Sequence, residues 1–143
     1  MYVQQISVFI ENQPGKLAEF TELLAKEGID LVALSIADTT NFGILRCIVC
    51  DYERAAKAIQ DAGYTARVTE VLAVSVPDKP GGMASAVRAL TDANISIEYL
   101  YSFVRTAGSN ALLIFRVEEL DRAAKVLQAS GVSLITQEQV RTL

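Results

Sequence analysis

The chain states one pattern twice. Ile6-Ser7-Val8-Phe9-Ile10 runs into Asn12-Gln13-Pro14-Gly15-Lys16-Leu17, and Leu72-Ala73-Val74-Ser75-Val76 runs into Asp78-Lys79-Pro80-Gly81-Gly82-Met83, an offset of 66 residues from Pro14 to Pro80. Glu53-Arg54-Ala55-Ala56-Lys57 returns as Asp121-Arg122-Ala123-Ala124-Lys125 at an offset of 68, so the second copy carries two more loop residues. The repeat divides the chain into units 1–69 and 70–143. Units this small are marginal alone, because too little of their surface can be buried. They are therefore expected to share a sheet or a core, with a seam between two similar sites.

Each unit reads β-α-β-β-α-β. In the first, Ile6, Val8 and Ile10 alternate with Ser7 and Phe9, the period of a strand with one buried face. Leu17, Phe20, Leu23 and Leu24 then fall at helical spacing, Glu22 and Lys26 form an i,i+4 pair, and Gly28 stops the helix. A strand over Ile29–Ala37, a polar turn at Asp38–Asn41 and a strand over Gly43–Cys50 follow. Asp51 caps a helix that Gly63 ends, and Tyr64–Val68 closes the unit. The second unit repeats the plan. Asn94 takes the place of the stop glycine, a strand spans Ile95–Val104, a longer turn lies at Arg105–Asn110, and Thr136–Leu143 is a polar tail. The expected fold class is α+β: two ferredoxin-like βαββαβ units in tandem, each an antiparallel sheet with helices on one face.

Such a sheet leaves its other face bare. Phe9, Ile44–Val49 and Leu112–Val117 supply more apolar surface than one helix-covered face needs, so the open faces should pack on a second sheet. That sheet comes either from a second chain, giving a homodimer through the sheet faces, or from folding back. Between Val68 and Leu72 there is almost no linker. Either one strand of about Tyr64–Val76 runs through both sheets, or the fourth strands are exchanged between units.

Composition narrows the function. The net charge of −4 and the lack of any Lys/Arg cluster along the sequence argue against nucleic acid or a membrane surface as partner. No apolar run approaches the ~20 residues of a membrane helix, and no secretory leader is visible, so a cytoplasmic protein is expected. Cys47 and Cys50 spell C-x-x-C, but in a strand residues three apart point to opposite faces, so neither a metal nor a redox pair is expected. There is no histidine, hence no obvious general base and no Ser–His pair, and no catalytic residue or cofactor is assigned.

The Pro-Gly loops remain. Each lies between a strand end and a helix start, where unpaired N–H groups and the helix dipole favour an anion such as a carboxylate. A tight turn that merely needs glycine is the plain alternative.

These loops, with Leu23-Leu24…Gly28-Ile29 and Leu90…Asn94-Ile95 behind them, resemble the start of ACT domains, and the likeness covers both repeats. The whole chain is similar to a free-standing tandem ACT protein. The second copy departs from the pattern at Gly82, Met83 and Asn94. The resemblance implies a regulatory protein with an amino-acid effector, bound between adjacent units, the loop of one facing the second strand of the other. One site would then join Asn12, Gln13, Pro14, Gly15, Lys16 and Leu17 to Glu98, Tyr99, Leu100 and Tyr101. The other would join Asp78, Pro80, Gly81, Gly82 and Met83 to the strand carrying Ser35. The stripe Ile97, Tyr99, Tyr101, Phe103 reads equally as an ordinary sheet face. An assembly module without ligand, or an enzyme subunit, are the other readings.

Overall fold

The elements follow in the order β1 (Val3–Glu11), α1 (Lys16–Lys26), β2 (Leu31–Asp38), β3 (Phe42–Val49), α2 (Tyr52–Asp61), β4 (Ala66–Pro77), α3 (Gly82–Asp92), β5 (Tyr99–Ser102), β6 (Asn110–Arg116), α4 (Leu120–Ala129), β7 (Ser133–Ile135) and α5 (Gln137–Arg141). The computed structural model describes residues 2–38, 41–104, 108 and 110–143. Most of the turn expected at Arg105–Asn110, and Thr39 and Thr40 of the turn at Asp38–Asn41, lie outside the described residues.

One long strand joins the repeats. Ala66–Val71 of β4 pair antiparallel with Val8–Val3 of β1, and Leu72–Pro77 pair with Phe115–Asn110 of β6. The absence of a linker is thereby explained: β4 is the last strand of the first unit and the first strand of the second. The division expected at residue 69 falls inside it. Strand order is β2-β3-β1-β4-β6-β5, with β7 beside β4. All pairings are antiparallel. Each half thus has the split βαββαβ arrangement.

Alternation sorts the side chains into three cores. Ile6, Val8, Leu45, Cys47 and Val49 point to α1 and α2, where they meet Phe20, Leu24, Ala55 and Ile59. Leu72, Val74, Leu113 and Phe115 do the same beneath α3 and α4, with Ala86, Leu90, Ala123 and Leu127. The third core lies between the sheets: Val3, Val32, Ala33, Ile48 and Val71 pack against Ala73, Tyr101, Phe103, Leu112 and Ile114. The open faces therefore cover each other by folding back, in helix–sheet–sheet–helix layers. The apolar centres of the sheet faces are thereby buried within one chain, the folding-back arrangement of the two expected. The edges of β2 and β5 touch at one end, through the Ala33–Phe103 bridge and the Val104 amide donating to the Val32 carbonyl.

Local signals behave as their chemistry requires. Asp51 accepts from the Arg54 amide at 3.2 Å as the cap of α2. Gly28 and Asn94 both take positive φ after their helices, at 67° and 58°. Cys47 sits under the helices and Cys50 against the inter-sheet core, so the thiols diverge. Three details differ from expectation. Among the described residues no ion pair joins Glu22 to Lys26, both standing in solvent where such a pair gains little. The strand expected at Ile95–Val104 narrows to Tyr99–Ser102. The tail forms α5, whose capping box joins Thr136 and Gln139 and whose Val140 closes the inter-sheet core.

Candidate functional site

The two Pro-Gly loops have one geometry. Gly15 and Gly81 occupy the N-cap positions of α1 and α3 with φ of 90° and 88°, and neither helix has a side-chain cap. Those angles lie in the left-handed region, which explains the glycines. The first helical bonds are Glu19 to Gly15 at 2.9 Å and Ser85 to Gly81 at 3.0 Å. Among the described residues, the Leu17, Ala18, Met83 and Ala84 amides have no acceptor within the protein. Each uncapped helix start thus presents two free N–H donors at its positive end.

A cleft adjoins each loop, built from equivalent parts. In the first unit it measures about 360 Å³ and lies between Phe9–Glu11, Lys16, Glu19 and the turn Ala62–Thr65. In the second it measures about 440 Å³, between Ser75–Pro77, Lys79–Gly82, Ser85 and the turn Ser130–Val132. The walls differ. The first carries Glu11, Lys16 and Glu19, with Lys16 and Glu19 3.9 Å apart. The second is lined mainly by small and neutral groups. Gly82 explains one departure of the second repeat: a Cβ there would stand 2.0 Å from the Pro77 carbonyl oxygen, so the residue at the Lys16 position must be glycine. Leu17 and Met83 stand at the same position of the two loops and are 41% and 46% exposed.

Within one chain the loops do not meet the strands expected to face them. None of Glu98, Tyr99, Leu100 or Tyr101 lines the cleft at Asn12–Leu17, and Ser35 does not line the cleft at Asp78–Met83. Tyr99 and Tyr101 lie on the inter-sheet side. Gln5, fully buried, accepts from the Tyr101 hydroxyl at 2.6 Å and donates to the Tyr99 hydroxyl at 2.7 Å. Burial pushes the Tyr101 hydroxyl far above the usual phenol range, with the Arg46 cation pulling weakly the other way. Glu98 pairs with Arg116 at 3.5 Å. Leu100 points away from the seam and is partly exposed, and Ser35 pairs with Arg46 in register.

Gln5, Arg46 and Arg67 are not among the site residues expected from sequence. The signal was present: Gln5 and Ser7 are polar residues at period two in a strand whose open face should have been apolar. The strand partners of Ser7, Arg46 and Arg67, become neighbours only through the register. Among the described residues no cluster of His, Cys, Asp and Glu could hold a metal, and no helix is long and apolar enough to cross a membrane.

Comparison with known proteins matches the architecture. The family model described as ACT domain pair matches residues 1–143. Protein BT0572 from Bacteroides thetaiotaomicron is 38% identical, with a TM-score of 0.92 over 100% of this chain and 98% of its own. The ligand-free regulatory subunit of aspartate kinase from Thermus thermophilus is 20% identical, with a TM-score of 0.68 over 91% of this chain and 93% of its own. The corresponding subunit from Thermus flavus is 18% identical, with a TM-score of 0.65 over 92% of each chain. These two likenesses show the shared fold. No curated protein matches the chain in sequence.

Proposed function

The chain belongs to the ACT domain pair family, and from that premise we propose that it is a regulatory protein whose effector is a free amino acid. The observation that carries the reading is the pair of equivalent loops, each with a left-handed glycine at the cap, two free amides and an adjoining cleft. The effector carboxylate sits on the Leu17 and Ala18 amides, or on those of Met83 and Ala84. Asn12 or Asp78 meets its ammonium group. The resemblance between the chain and aspartate kinase regulatory subunits supports a regulatory role.

The site is completed by a second copy of the chain. Beyond the Ala33–Phe103 bridge and the Val104–Val32 hydrogen bond, the outer edges of β2 and β5 join no further strand among the described residues. Such edges present unpaired backbone groups ready to join another strand. Side-by-side pairing there brings the β5 residues Tyr99–Ser102 of one protomer toward the Asn12–Leu17 loop of its partner. Effector binding stiffens that seam and shifts the protein between two states that a regulated partner distinguishes.

A thermal-shift screen against the free amino acids tests the reading. An effector at 100 times its dissociation constant adds about 2.7 kcal/mol of stability. Leu17→Asp, at an exposed position, places a carboxylate beside the amides and abolishes the shift if the first loop is used; Met83→Asp does so for the second. Stability that no amino acid changes would refute the sensor and leave an assembly module built on the same edges.

A further inference from the structure

We propose that the mouth where the two sheets part is a separate binding site for a multiply charged oxyanion of the phosphate type, held by Arg46, Arg67 and the hydroxyls of Ser7 and Tyr99. The inference does not rest on the amino-acid reading, although Tyr99 lies on the strand that the proposed dimer brings toward a partner's loop.

Register builds the site. Ser7 of β1 is paired with Arg46 of β3 on one side and with Arg67 of β4 on the other. Side chains opposite one another on neighbouring strands share a face at roughly 5 Å spacing, so two arginines flank one serine on the inter-sheet side. Across the gap the second sheet adds Tyr99 and Arg116, themselves a register pair. These groups line a cleft of about 300 Å³ with Thr69 and the half-exposed Phe9. The volume suits a phosphate group and a small organic body attached to it.

The hydrogen-bond network makes this cleft a donor site. The Tyr101 hydroxyl donates to Gln5 Oε1 at 2.6 Å, which orients the buried amide. Gln5 Nε2 then donates to Tyr99 Oη at 2.7 Å and to Ser7 Oγ at 3.2 Å. Both amide protons are used, and each hydroxyl has accepted a bond, so each keeps its own proton for the cleft. The Arg46 guanidinium lies over the Tyr99 ring, 3.8 Å from its centroid. Arg116 is already paired with Glu98, whereas among the described residues no ion pair involves Arg46 or Arg67. Arg46 and Arg67 stand on the strands either side of β1, two strand spacings or ~10 Å apart, so their like charges repel and an anion between them reverses the sign. All this stands in a chain of net charge −4.

The duplication supplies the control. The row Ser35, Arg46, Ser7, Arg67 crosses the first sheet, and its counterpart in the second is Tyr101, Ile114, Ala73, Ile135. That counterpart packs in the inter-sheet core. A sheet needs only the apolar version to close against its partner. The charged version leaves the sheets apart at one end, and its arginines face the opening.

Calorimetric titration with pyrophosphate at low ionic strength, where surface charge is least screened, tests the site. Saturable one-to-one binding is expected, weakened about tenfold or more in Arg67→Met, as loss of a charged hydrogen-bond donor requires. Arg67 is exposed, so this variant should melt with the wild type. Arg88→Met, on the outer face of α3, should bind as the wild type does, and chloride should not compete. No saturable binding, or equal binding by Arg67→Met, would overturn the proposal. Tighter binding of citrate than of pyrophosphate would overturn the phosphate assignment. Amino-acid-dependent stabilisation should be unchanged in Arg67→Met, so the two sites fail separately.

Discussion

Replacing Gln5 with leucine removes one buried amide and strands the hydroxyl of Tyr101, a residue 8% exposed whose hydroxyl donates to no other group among the described residues. Leucine itself fits beside Val3 and the inter-sheet core, so the cost falls on the hydroxyl. An unsatisfied buried donor costs about 1–3 kcal/mol. The Tyr99 hydroxyl and Ser7 lose a bond as well, but both border the open cleft and recover one from water. The sum is about 2–3 kcal/mol, which for a chain of this length lowers the melting temperature by roughly 6–10 °C. Urea denaturation gives the free energies directly. Tyr101→Phe in the wild-type background strands the Gln5 carbonyl instead and costs about 1–2 kcal/mol. In the Gln5→Leu background it removes the stranded hydroxyl and should cost nothing or stabilise. The double-mutant cycle should therefore show a coupling of about 1–2 kcal/mol. Additivity within about 0.5 kcal/mol would refute the reasoning that Gln5 ties the second sheet to the first through Tyr101.

The remaining tests address local chemistry. Cys50 should alkylate in the native protein and Cys47 should not, because burial pushes the Cys47 thiol up to about 12; mass spectrometry after iodoacetamide treatment reads both. The same shift has a pH consequence. The unfolded thiol ionises near 9 and the folded one near 12, so stability is full below pH 9 and falls as pH rises between those values. Gly82→Ala drives a Cβ against the Pro77 carbonyl and should cost about 2–3 kcal/mol. Gly15→Ala meets no atom within 4 Å and should cost only the left-handed strain, about 1–2 kcal/mol. Chemical denaturation ranks the two, and equal costs would show that the second loop is no tighter than the first.

Much of the fold was legible because each half satisfies local rules without contradiction. Period two in Ile6-Ser7-Val8, helical spacing in Leu17…Leu24 and the stops at Gly28 and Asn94 each agree with the structure. The missing linker at Val68–Leu72 left two topologies open, and only the pairing of β4 with both β1 and β6 chooses between them. What sequence could not show is what depends on register across distant strands. Ser7, Arg46 and Arg67 are far apart in the chain and adjacent in the sheet. Tyr99 and Tyr101 read as pocket or sheet stripe from spacing alone. Their hydroxyls belong to Gln5, a partner that no local pattern selects. The tail was less opaque: Thr136-Gln137-Glu138-Gln139 has the spacing of a capping box, and its helix needed only the burial of Val140 to settle.

In the proposed site an amino-acid carboxylate rests on the free amides behind a Pro-Gly loop. Amide chemical shifts of the ¹⁵N-labelled protein, followed while the effector found in the thermal screen is titrated, test it most directly. The largest shifts should fall on Gly15–Ala18 or on Gly81–Ala84, with a second set on Tyr99–Ser102 if the first loop is used. Shifts confined to Ser7, Arg46 and Arg67, with both loops unmoved at saturation, would contradict it.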